Sequence, residues 1–304
     1  MVKFLDLVRC PYCESKIRHI KSYGKERKFG VVKCDCDEYP YFDKVLILIK
    51  DDFQLNKRII KILQRHNIYA IIWACLSGNR FLIRLVIIIF YFLNRQFGFK
   101  LTEEKLYYLL KILVSNKSWF EYLRQRENAM DFIMAVNRFQ KNKPGDLLTD
   151  IGCGTGQFIR KISHFKEVAN SIIGIDKSIL SILIANLYVH KKNILFVLTD
   201  LEQGIPLHNS VSDSTIMLNS LPWIYNKKRI FKEIARVLKR NSRLFIFNIF
   251  SPIGKAKSWG DGVFTNKLKL LLKEKFKEIR LVNYPHKSNL KIDDYGYNAF
   301  AVKK

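Results

Sequence analysis

The second half of the chain predicts a doubly wound α/β sheet, and three observations support this prediction. From residue 144 onward, short apolar runs alternate with stretches in which apolar residues recur at helical spacing. The runs lack alternating polar residues, as do strands that are buried on both faces. Three glycines at alternate positions, Gly152, Gly154 and Gly156, follow the first run directly. Doubly wound sheets bind ligands where the first strand turns into the first helix, so this turn is the expected ligand site.

The predicted elements follow one another along the chain and give a mostly parallel, seven-stranded sheet. The strands are expected at DLLTDIG (146–152), SIIGID (171–176), NILFVLTD (193–200), DSTIMLNS (213–220), SRLFIFNIF (242–250), EIRLVNY (278–284) and YNAFAVKK (297–304). The helices are expected directly after the glycines and at SILSILIANLYVH (178–190), KKRIFKEIARVLK (227–239) and NKLKLLLKEKF (266–276). Because no helix separates the last two strands, we expect them to pair antiparallel at the edge of the sheet.

The pattern changes twice along the chain, which predicts three regions. Residues 1–50 carry cysteines and short strands and end in the apolar run KVLILI (44–49). Residues 51–143 have apolar positions at helical spacing, and a turn-rich joint, KNKPGD (141–146), follows them. We therefore interpret 1–50 as a small head, 51–143 as a helical linker or substrate region, and 144–304 as the α/β domain.

The composition excludes a disordered chain and favours anionic partners. Hydrophobic residues make up 48% of the 304 residues, which is enough for a packed core. Lys and Arg number 53 against 27 Asp and Glu, a net charge of +26 that favours RNA or an acidic membrane surface as a partner. Because no block of five like charges occurs, a generally lysine-rich composition explains the charge equally well.

The N-terminal sequence and the apolar helices predict a cytoplasmic protein without a transmembrane span. MVKFLDLVRCPYC lacks the long apolar core and the cleavage site of a signal peptide. The run FLIRLVIIIFYFL (81–93) is interrupted by Arg84, and its remainder is far shorter than the roughly 20 residues that cross a bilayer. We interpret it as a buried helix, with a peripheral membrane contact through 68–99 as the alternative. Eight basic and no acidic residues lie between Phe53 and Thr102, either as a solvated face or as a wall that faces the substrate.

Acidic residues close three successive predicted strands beside the glycine turn. Asp150 ends the first strand, Asp176 the second and Asp200 the third. A carboxylate at the position of Asp176 can accept hydrogen bonds from both hydroxyls of a ribose. Asp200, beside the backbone of Leu201, can accept a hydrogen bond from the exocyclic amine of adenine. Each acid could instead be an ordinary helix cap, but three in this arrangement indicate a nucleoside site.

The spacing of the glycines argues against a nicotinamide dinucleotide. The dinucleotide fingerprint requires Gly or Ala at its sixth position, where helix and strand pack closely. Here that position is Gln157.

From about residue 145 to 304 the chain resembles class I S-adenosylmethionine-dependent methyltransferases of the broad group called type 11. The resemblance rests on DIGCGTG (150–156), GID (174–176), LTDLEQGIPLHNSVSDSTIMLNSLPWI (198–224) and IFKEIARVLKRNSRLFIF (230–247). It implies a Rossmann-like fold and S-adenosyl-L-methionine as the cofactor. The residues that it implies as cofactor-binding are Asp150, Gly152, Cys153, Gly154, Gly156, Asp176, Lys177, Asp200, Leu201 and Asn219. One departure is Arg240-Asn241-Ser242 in place of the usual Pro-Gly-Gly, where Asn241 can still adopt a left-handed conformation.

The resemblance also implies a methyl-acceptor pocket after the fourth strand of this domain. Leu221, Trp223 and Tyr225 occupy the positions that line this pocket, although Trp223 could instead be core. The sequence NSLPW (219–223) lacks the second-position proline of the motif that methylates exocyclic amines. No residue is assigned as a catalytic base, and no Ser, His and Asp set indicates hydrolysis.

Four cysteines near the N-terminus form a candidate zinc site. Cys10 and Cys13 form CPYC, and Cys34 and Cys36 form CDC after a 20-residue gap. Four thiolates from two knuckles suit tetrahedral zinc, and reduced structural thiols are the alternative. This head resembles the Trm112-like zinc-binding head, whose second knuckle runs into a Tyr-Pro pair, here Tyr39-Pro40, and an apolar strand. Cys75 and Cys153 are not expected to be zinc ligands.

The sequence therefore predicts a methyltransferase and leaves its acceptor open. The charge and the cysteine head favour RNA, whereas the apolar and basic stretch from Ile68 to Phe99 favours a small or lipid-like acceptor. The alternative function is a non-catalytic scaffold that binds a partner through the head.

Overall fold

The computed structural model describes residues 4–24, 28–50, 55–97, 102–113, 117–141, 144–165, 169–191, 193–250, 262–283 and 296–304. The strands in this part of the chain are β1 (Arg18–Tyr23), β2 (Phe29–Lys33), β3 (Glu38–Phe42), β4 (Val45–Ile47), β5 (Leu147–Ile151), β6 (Ser171–Asp176), β7 (Ile194–Leu198), β8 (Ser212–Leu218), β9 (Leu238–Phe250), β10 (Phe276–Asn283) and β11 (Gly296–Lys303). The helices are α1 (Leu55–Leu63), α2 (Ile68–Cys75), α3 (Phe81–Gln96), α4 (Glu103–Leu113), α5 (Lys117–Gln125), α6 (Met130–Lys141), α7 (Gln157–Ile162), α8 (Ile179–Tyr188), α9 (Lys227–Val237) and α10 (Thr265–Lys273).

The described strands form one mixed sheet in the order β1-β2-β3-β4-β7-β6-β5-β8-β9-β11-β10. The strands from β4 to β9 in this order are parallel neighbours, whereas β11 pairs antiparallel with both β9 and β10. The doubly wound sheet predicted for the second half of the chain is confirmed. The antiparallel pairing of its last two strands at the edge is confirmed as well.

The prediction of a seven-stranded sheet was wrong in one respect, because eleven strands of the described residues form the sheet. The four strands of the head continue the same sheet through a parallel ladder between β4 and β7. Val45, Leu46 and Ile47 are all buried, so this short strand needs hydrogen-bond partners on both sides. The ladder also covers the edge that β7 would otherwise expose.

Buried residues fill both faces of the sheet. One core contains the side chains of α1 to α8, and the other contains those of α9, α10 and the N-terminal segment. The helical region therefore packs on the same face as α7 and α8. Two hydrogen bonds fix it there, from the hydroxyl of Tyr91 to the carbonyl of Leu183 at 2.6 Å and from Gln157 Nε2 to the carbonyl of Leu123 at 2.8 Å.

Asn241 lies within β9, where the register with β8 shifts between Leu238 and Arg243, and it adopts the expected left-handed conformation. Its φ of 61° lies in the left-handed region, which asparagine tolerates. The helix before it ends at Val237, two residues earlier than predicted, and Leu238 already pairs with Ser212 of β8.

Among the described residues, no helix has both the length and the apolar character needed to cross a membrane.

Shortening Leu46 to Ala tests whether β4 is an integral part of the sheet. The side chain is fully buried between head and α/β domain, so its truncation should lower the free energy of unfolding by about 2–5 kcal/mol. Urea unfolding followed by circular dichroism should show this loss in one transition shared by head and domain.

The matched control is Ile20→Ala in β1, because this side chain is 46% exposed. It should change stability by about 0.5 kcal/mol or less. An unchanged midpoint for Leu46→Ala would contradict the joined sheet.

Candidate functional site

The glycine turn is held against β6 and leaves one glycine open to a ligand. The N–H groups of Gly152 and Cys153 donate to the carbonyl of Ile175 at 2.8 and 3.0 Å. Gly152 and Gly154 have φ values of 75° and 53°, which disfavour any larger residue. A Cβ atom on Gly152 would lie 2.3 Å from Cβ of Ser220, whereas one on Gly154 would meet nothing within 4 Å. Gly154 therefore lets a ligand approach the backbone.

Asp176 is oriented by the backbone at the end of β6. Its Oδ2 accepts the N–H of Gly154 at 2.9 Å, and its Oδ1 accepts the N–H of Ser178 at 2.8 Å. Desolvation raises the pKa of this carboxyl, and the backbone donors oppose that rise. Each carboxylate oxygen has a second lone pair that can accept from a ligand hydroxyl.

Asp150 is a buried acid with an unsatisfied oxygen. The residue is only 1% exposed, and within the part of the chain that the structure describes its Oδ1 has no hydrogen-bond partner. Burial raises the pKa of Asp150 to about 8, and the nearby charge of Asp176 adds to this rise. A buried acceptor without a partner costs free energy, so a ligand that brings a donor or a positive charge would be stabilised here.

Asp200 lies just beyond β7, at the third strand end. Its Oδ1 accepts the N–H of Glu202 at 3.0 Å, and its carbonyl accepts the N–H of Gln203 at 3.0 Å. This turn presents Asp200 and Leu201 to the same space that Asp176 borders.

The glycine turn and the strand-end acids enclose a cavity of about 340 Å³. This volume falls in the range of small-molecule sites. The residues predicted from the sequence that line it are Asp150, Gly152, Cys153, Gly154, Asp176, Lys177, Asp200, Leu201, Asn219 and Trp223.

Three of the predicted site residues do not line the cavity. Gly156 lies against α8, where a Cβ atom would be 2.9 Å from Cβ of Ala185. Leu221 is 1% exposed and belongs to the core, whereas Tyr225 is 80% exposed. Leu221 and Trp223 lie on one short 3-10 helix, on which consecutive side chains point to different sides. Leu221 therefore packs in the core while Trp223 lines the cavity.

The structure adds cavity residues that the sequence reasoning missed. Those from the helical region are Tyr122, Leu123, Arg126 and Phe132, and those from the α/β domain are Thr155, Gln157, Phe158, Ser178, Ser181, Glu202, Leu218, Ser220 and Ile224. The helical periodicity of residues 51–143 does not say which face covers the glycine turn. The strand-end motifs could have indicated Ser178 and Glu202, since each lies two residues after a predicted site acid.

A chain of polar side chains ties the helical region to the carboxyl ends of β8 and β9. Asn219 Nδ2 donates to the hydroxyl of Tyr122, and Asn219 Oδ1 accepts from Asn248 Nδ2 at 3.1 Å. The backbone N–H of Asn248 donates in turn to Asn298 Oδ1 at 2.9 Å. Asn219 and Asn248 both have positive φ, of 60° and 57°. The network therefore holds two positive-φ residues in place, and one of them, Asn219, lines the cavity.

The cavity carries more negative than positive charge. Four acidic side chains line it, from Asp150, Asp176, Asp200 and Glu202, and Asp150 holds its proton at neutral pH because its pKa is raised to about 8. Of the two cationic side chains, Arg126 forms a buried bidentate ion pair with Asp131. The site therefore favours a ligand that carries positive charge together with hydroxyl and amine donors.

The four head cysteines meet as predicted. Their sulfurs all lie within 4.8 Å of one another, with 3.4 Å between Cys34 and Cys36 and 3.7 Å between Cys10 and Cys36. Tetrahedral zinc with Zn–S bonds of about 2.3 Å places its sulfurs about 3.8 Å apart. The donor set and its spacing fit zinc. Cys75 lies in the core and Cys153 in the glycine turn, away from this cluster.

In a comparison with known proteins, residues 149–246 match the family model described as a methyltransferase domain. The chain is 30% identical over 133 residues to a protein of Invertebrate iridescent virus 6 that is named provisionally as methyltransferase 235L, and the match covers 43% of this chain and 45% of the viral protein. An O-methyltransferase of Pyrenophora dematioidea is 31% identical over 118 residues, which are 38% of this chain and 43% of that protein. The chain thus spans less than half the length of these curated relatives.

Among solved structures, a SAM-dependent methyltransferase of Thermotoga maritima, described as a possible histamine N-methyltransferase, is similar at a TM-score of 0.49. It is 20% identical, and the match covers 65% of this chain and 99% of that one.

Replacing Asp150 by Asn should change how stability depends on pH. The folded protein holds a proton on Asp150 up to a pKa of about 8, whereas the unfolded chain releases it near about 3.9. Between these values the folded state binds more protons, so wild-type stability falls as the pH rises and levels off above pH 8. From pH 5 to pH 8 the free energy of unfolding of the wild-type protein should fall by roughly 1–3 kcal/mol more than that of Asp150→Asn. Urea unfolding of both proteins at the two pH values measures this difference.

Parallel pH profiles for the two proteins would show that Asp150 is already ionised in the fold, and would contradict this assignment.

Proposed function

We propose that the protein is an S-adenosylmethionine-dependent methyltransferase. The observation that carries the proposal is the set of three acids at adjacent strand ends around an open Gly154. The methyltransferase-domain match supports it, since residues 149–246 include the glycine turn and all three acids. A non-catalytic scaffold would not require an orphaned buried carboxylate beside a glycine with free space at its Cβ position.

The cavity residues fit S-adenosylmethionine by their hydrogen-bonding capacity and charge. Asp176 would accept from the ribose hydroxyls, and Asp200 with the backbone of Leu201 would bind adenine. Asp150 Oδ1, which lacks a partner, would accept from a donor of the bound cofactor. Because Gly154 has no side chain, the cofactor can approach its backbone more closely than the backbone of a residue with a Cβ atom.

The protein contributes positioning and electrostatics to the reaction. When bound, the cofactor supplies a methyl group activated on a sulfonium, which an acceptor displaces in line. The carboxylates of the cavity favour a cationic ligand over a neutral ligand of the same shape, and so favour the methylated cofactor over its demethylated product. Tyr122 and Asn219 are joined by a hydrogen bond and line the same cavity as the glycine turn. Holding both reactants in line contributes much of the rate.

We infer that the head binds a structural zinc ion through Cys10, Cys13, Cys34 and Cys36. Tyr39 supports the cluster, because its hydroxyl lies 3.8 Å from two of the sulfurs, those of Cys10 and Cys36. Tyr39-Pro40 lies in β3, between the second knuckle and β4, which is the order that the Trm112-like resemblance implies. All six cysteines are free thiols, which suits a reducing compartment and a cytoplasmic protein.

Asp176→Ala tests the cofactor site. Loss of the carboxylate leaves the ribose hydroxyls without a partner and should weaken binding of S-adenosylhomocysteine by roughly 1–3 kcal/mol, about fivefold to 150-fold. Isothermal titration should give micromolar affinity for the wild-type protein and this loss for the variant. The matched control is Asp146→Ala, since Asp146 pairs with Asn170 outside the cavity.

Equal affinities for wild type and Asp176→Ala would remove Asp176 from the site, and no binding by folded wild-type protein would contradict the proposed function. With binding established, transfer of labelled methyl groups to RNA, small molecules and lipid extracts identifies the acceptor class.

Cys36→Ser tests the zinc site. With only three thiolates left, the protein should lose most of a stoichiometric zinc content and unfold at a lower temperature, because structural zinc contributes directly to folding free energy. Inductively coupled plasma mass spectrometry measures the metal.

Cys75→Ser is the control, because Cys75 is equally a free thiol but lies in the core away from the cluster. Wild-type protein that is reduced and takes up no zinc from solution would contradict the inference.

A further inference from the structure

Helix α3 is apolar on two opposite sides. Twelve of its sixteen residues are aliphatic or aromatic. Ile83, Ile87, Phe90 and Tyr91 form the buried side, which packs against the domain. A helix that is hydrophobic all round is normally buried in a core or in a membrane. The second apolar side of α3 therefore needs an explanation of its own.

The second side lies opposite the first and is open to solvent. Phe81, Leu82, Leu85, Ile89 and Phe92 are between 39% and 63% exposed. At 100° per residue these five positions fall within an arc of about 100°. We call them the α3 stripe. They form one continuous apolar surface, unlike singly scattered exposed residues, which need no explanation.

Aromatic side chains from the neighbouring segments widen the stripe. Trp73 of α2 contacts Phe81 with 5.6 Å between ring centroids, and Tyr69 of α2 contacts Phe92 at 6.0 Å. Phe97 is 62% exposed and lies 5.7 Å from Phe92. Trp and Tyr at the margin of an apolar surface are typical of proteins that lie in the interface of a bilayer.

The surroundings of the stripe are basic. Residues 55–97 contain seven Lys or Arg side chains and no Asp or Glu, and one of the seven, Arg95, forms an ion pair with Asp43. Arg80, at the start of α3, is exposed, and the guanidinium of Arg84 lies 5.2 Å from the ring centroid of Trp73. Lys57, Arg58 and Lys61 of α1 are exposed as well. Lys and Arg side chains close to an anionic lipid surface are attracted to it.

We propose that the α3 stripe docks this protein on the surface of an anionic lipid bilayer, with α3 lying in the plane of the interface. Sixteen residues span about 24 Å, less than the roughly 30 Å of a hydrocarbon core, so the helix lies on the bilayer rather than across it. The basic residues complement anionic headgroups while the stripe enters the acyl boundary.

Two other occupants fit the surface less well. RNA bases stack on open aromatic faces, whereas the centre of the stripe is the aliphatic pair Leu85 and Ile89, and its rings already contact neighbouring rings in tilted or edge-on geometry. A second copy of the chain would bring two basic surfaces together without acidic residues from 55–97 to neutralise them. The surface is also separate from the proposed cofactor site, because no residue of the α3 stripe lines the cavity.

The test is sedimentation of the full chain with phosphatidylcholine vesicles that contain 25% phosphatidylglycerol, compared with pure phosphatidylcholine, at 50 and 300 mM NaCl. We expect binding to the anionic vesicles that weakens at high salt. Leu85→Ser combined with Ile89→Ser should lower the partition coefficient about tenfold, because it removes apolar area from the centre of the stripe.

The matched control combines Ile20→Ser with Leu270→Ser, two changes of exposed apolar residues on β1 and α10. It should bind like wild type, and thermal unfolding and S-adenosylhomocysteine titration verify that all proteins are folded. The proposal is overturned by absence of binding to anionic vesicles, or by equal binding of the stripe variant, which would mean that charge alone drives association and would favour RNA. It is also overturned if light scattering shows a wild-type dimer that the stripe variant dissociates.

Discussion

The burial of two carboxyl groups at neighbouring strand ends is the constraint on which the site depends. Asp150 and Asp176 lie at the ends of adjacent parallel strands, β5 and β6, and the charge of Asp176 adds to the cost of ionising the buried Asp150 carboxyl. Backbone donors satisfy Asp176, but Asp150 keeps an oxygen without a partner. A buried polar atom without a hydrogen-bond partner destabilises the folded state, so native folds rarely keep one unless a bound ligand supplies the partner. The glycine turn lines the same cavity as these two acids, and its lack of side chains lets a ligand approach the backbone beside them.

The cysteine head is connected to this site through the sheet itself. Tyr12, between Cys10 and Cys13, accepts a hydrogen bond from the N–H of Lys50 at 2.8 Å, just beyond β4. The ladder of β4 runs along β7, and the N–H of Leu48 donates to the carbonyl of Leu198 at 2.8 Å. Asp200 follows two residues later. A metal that orders the knuckles would therefore also stiffen the strand end that presents the third acid.

Sequence reasoning predicted the parts of the fold that local patterns determine. Buried parallel strands leave long apolar runs, so the seven strands of the α/β domain and the positions of Asp150, Asp176 and Asp200 could be found from the sequence. Strand β4 has only three residues, and nothing in their periodicity indicates that β7 is their partner. Likewise, the amphipathic pattern of α5 does not specify that Tyr122, or Arg126 just after the helix, lines the cavity beside the glycine turn. Both features depend on packing between segments that are distant in sequence.

The crystal structure of the complex with S-adenosylhomocysteine tests the central claim most directly. It should place the ribose hydroxyls within hydrogen-bond distance of Asp176, the adenine beside Asp200 and Leu201, and a ligand donor on Asp150 Oδ1. A ligand bound elsewhere, or one that leaves Asp150 and Asp176 without contact, would contradict the assignment of the strand-end acids as a cofactor site.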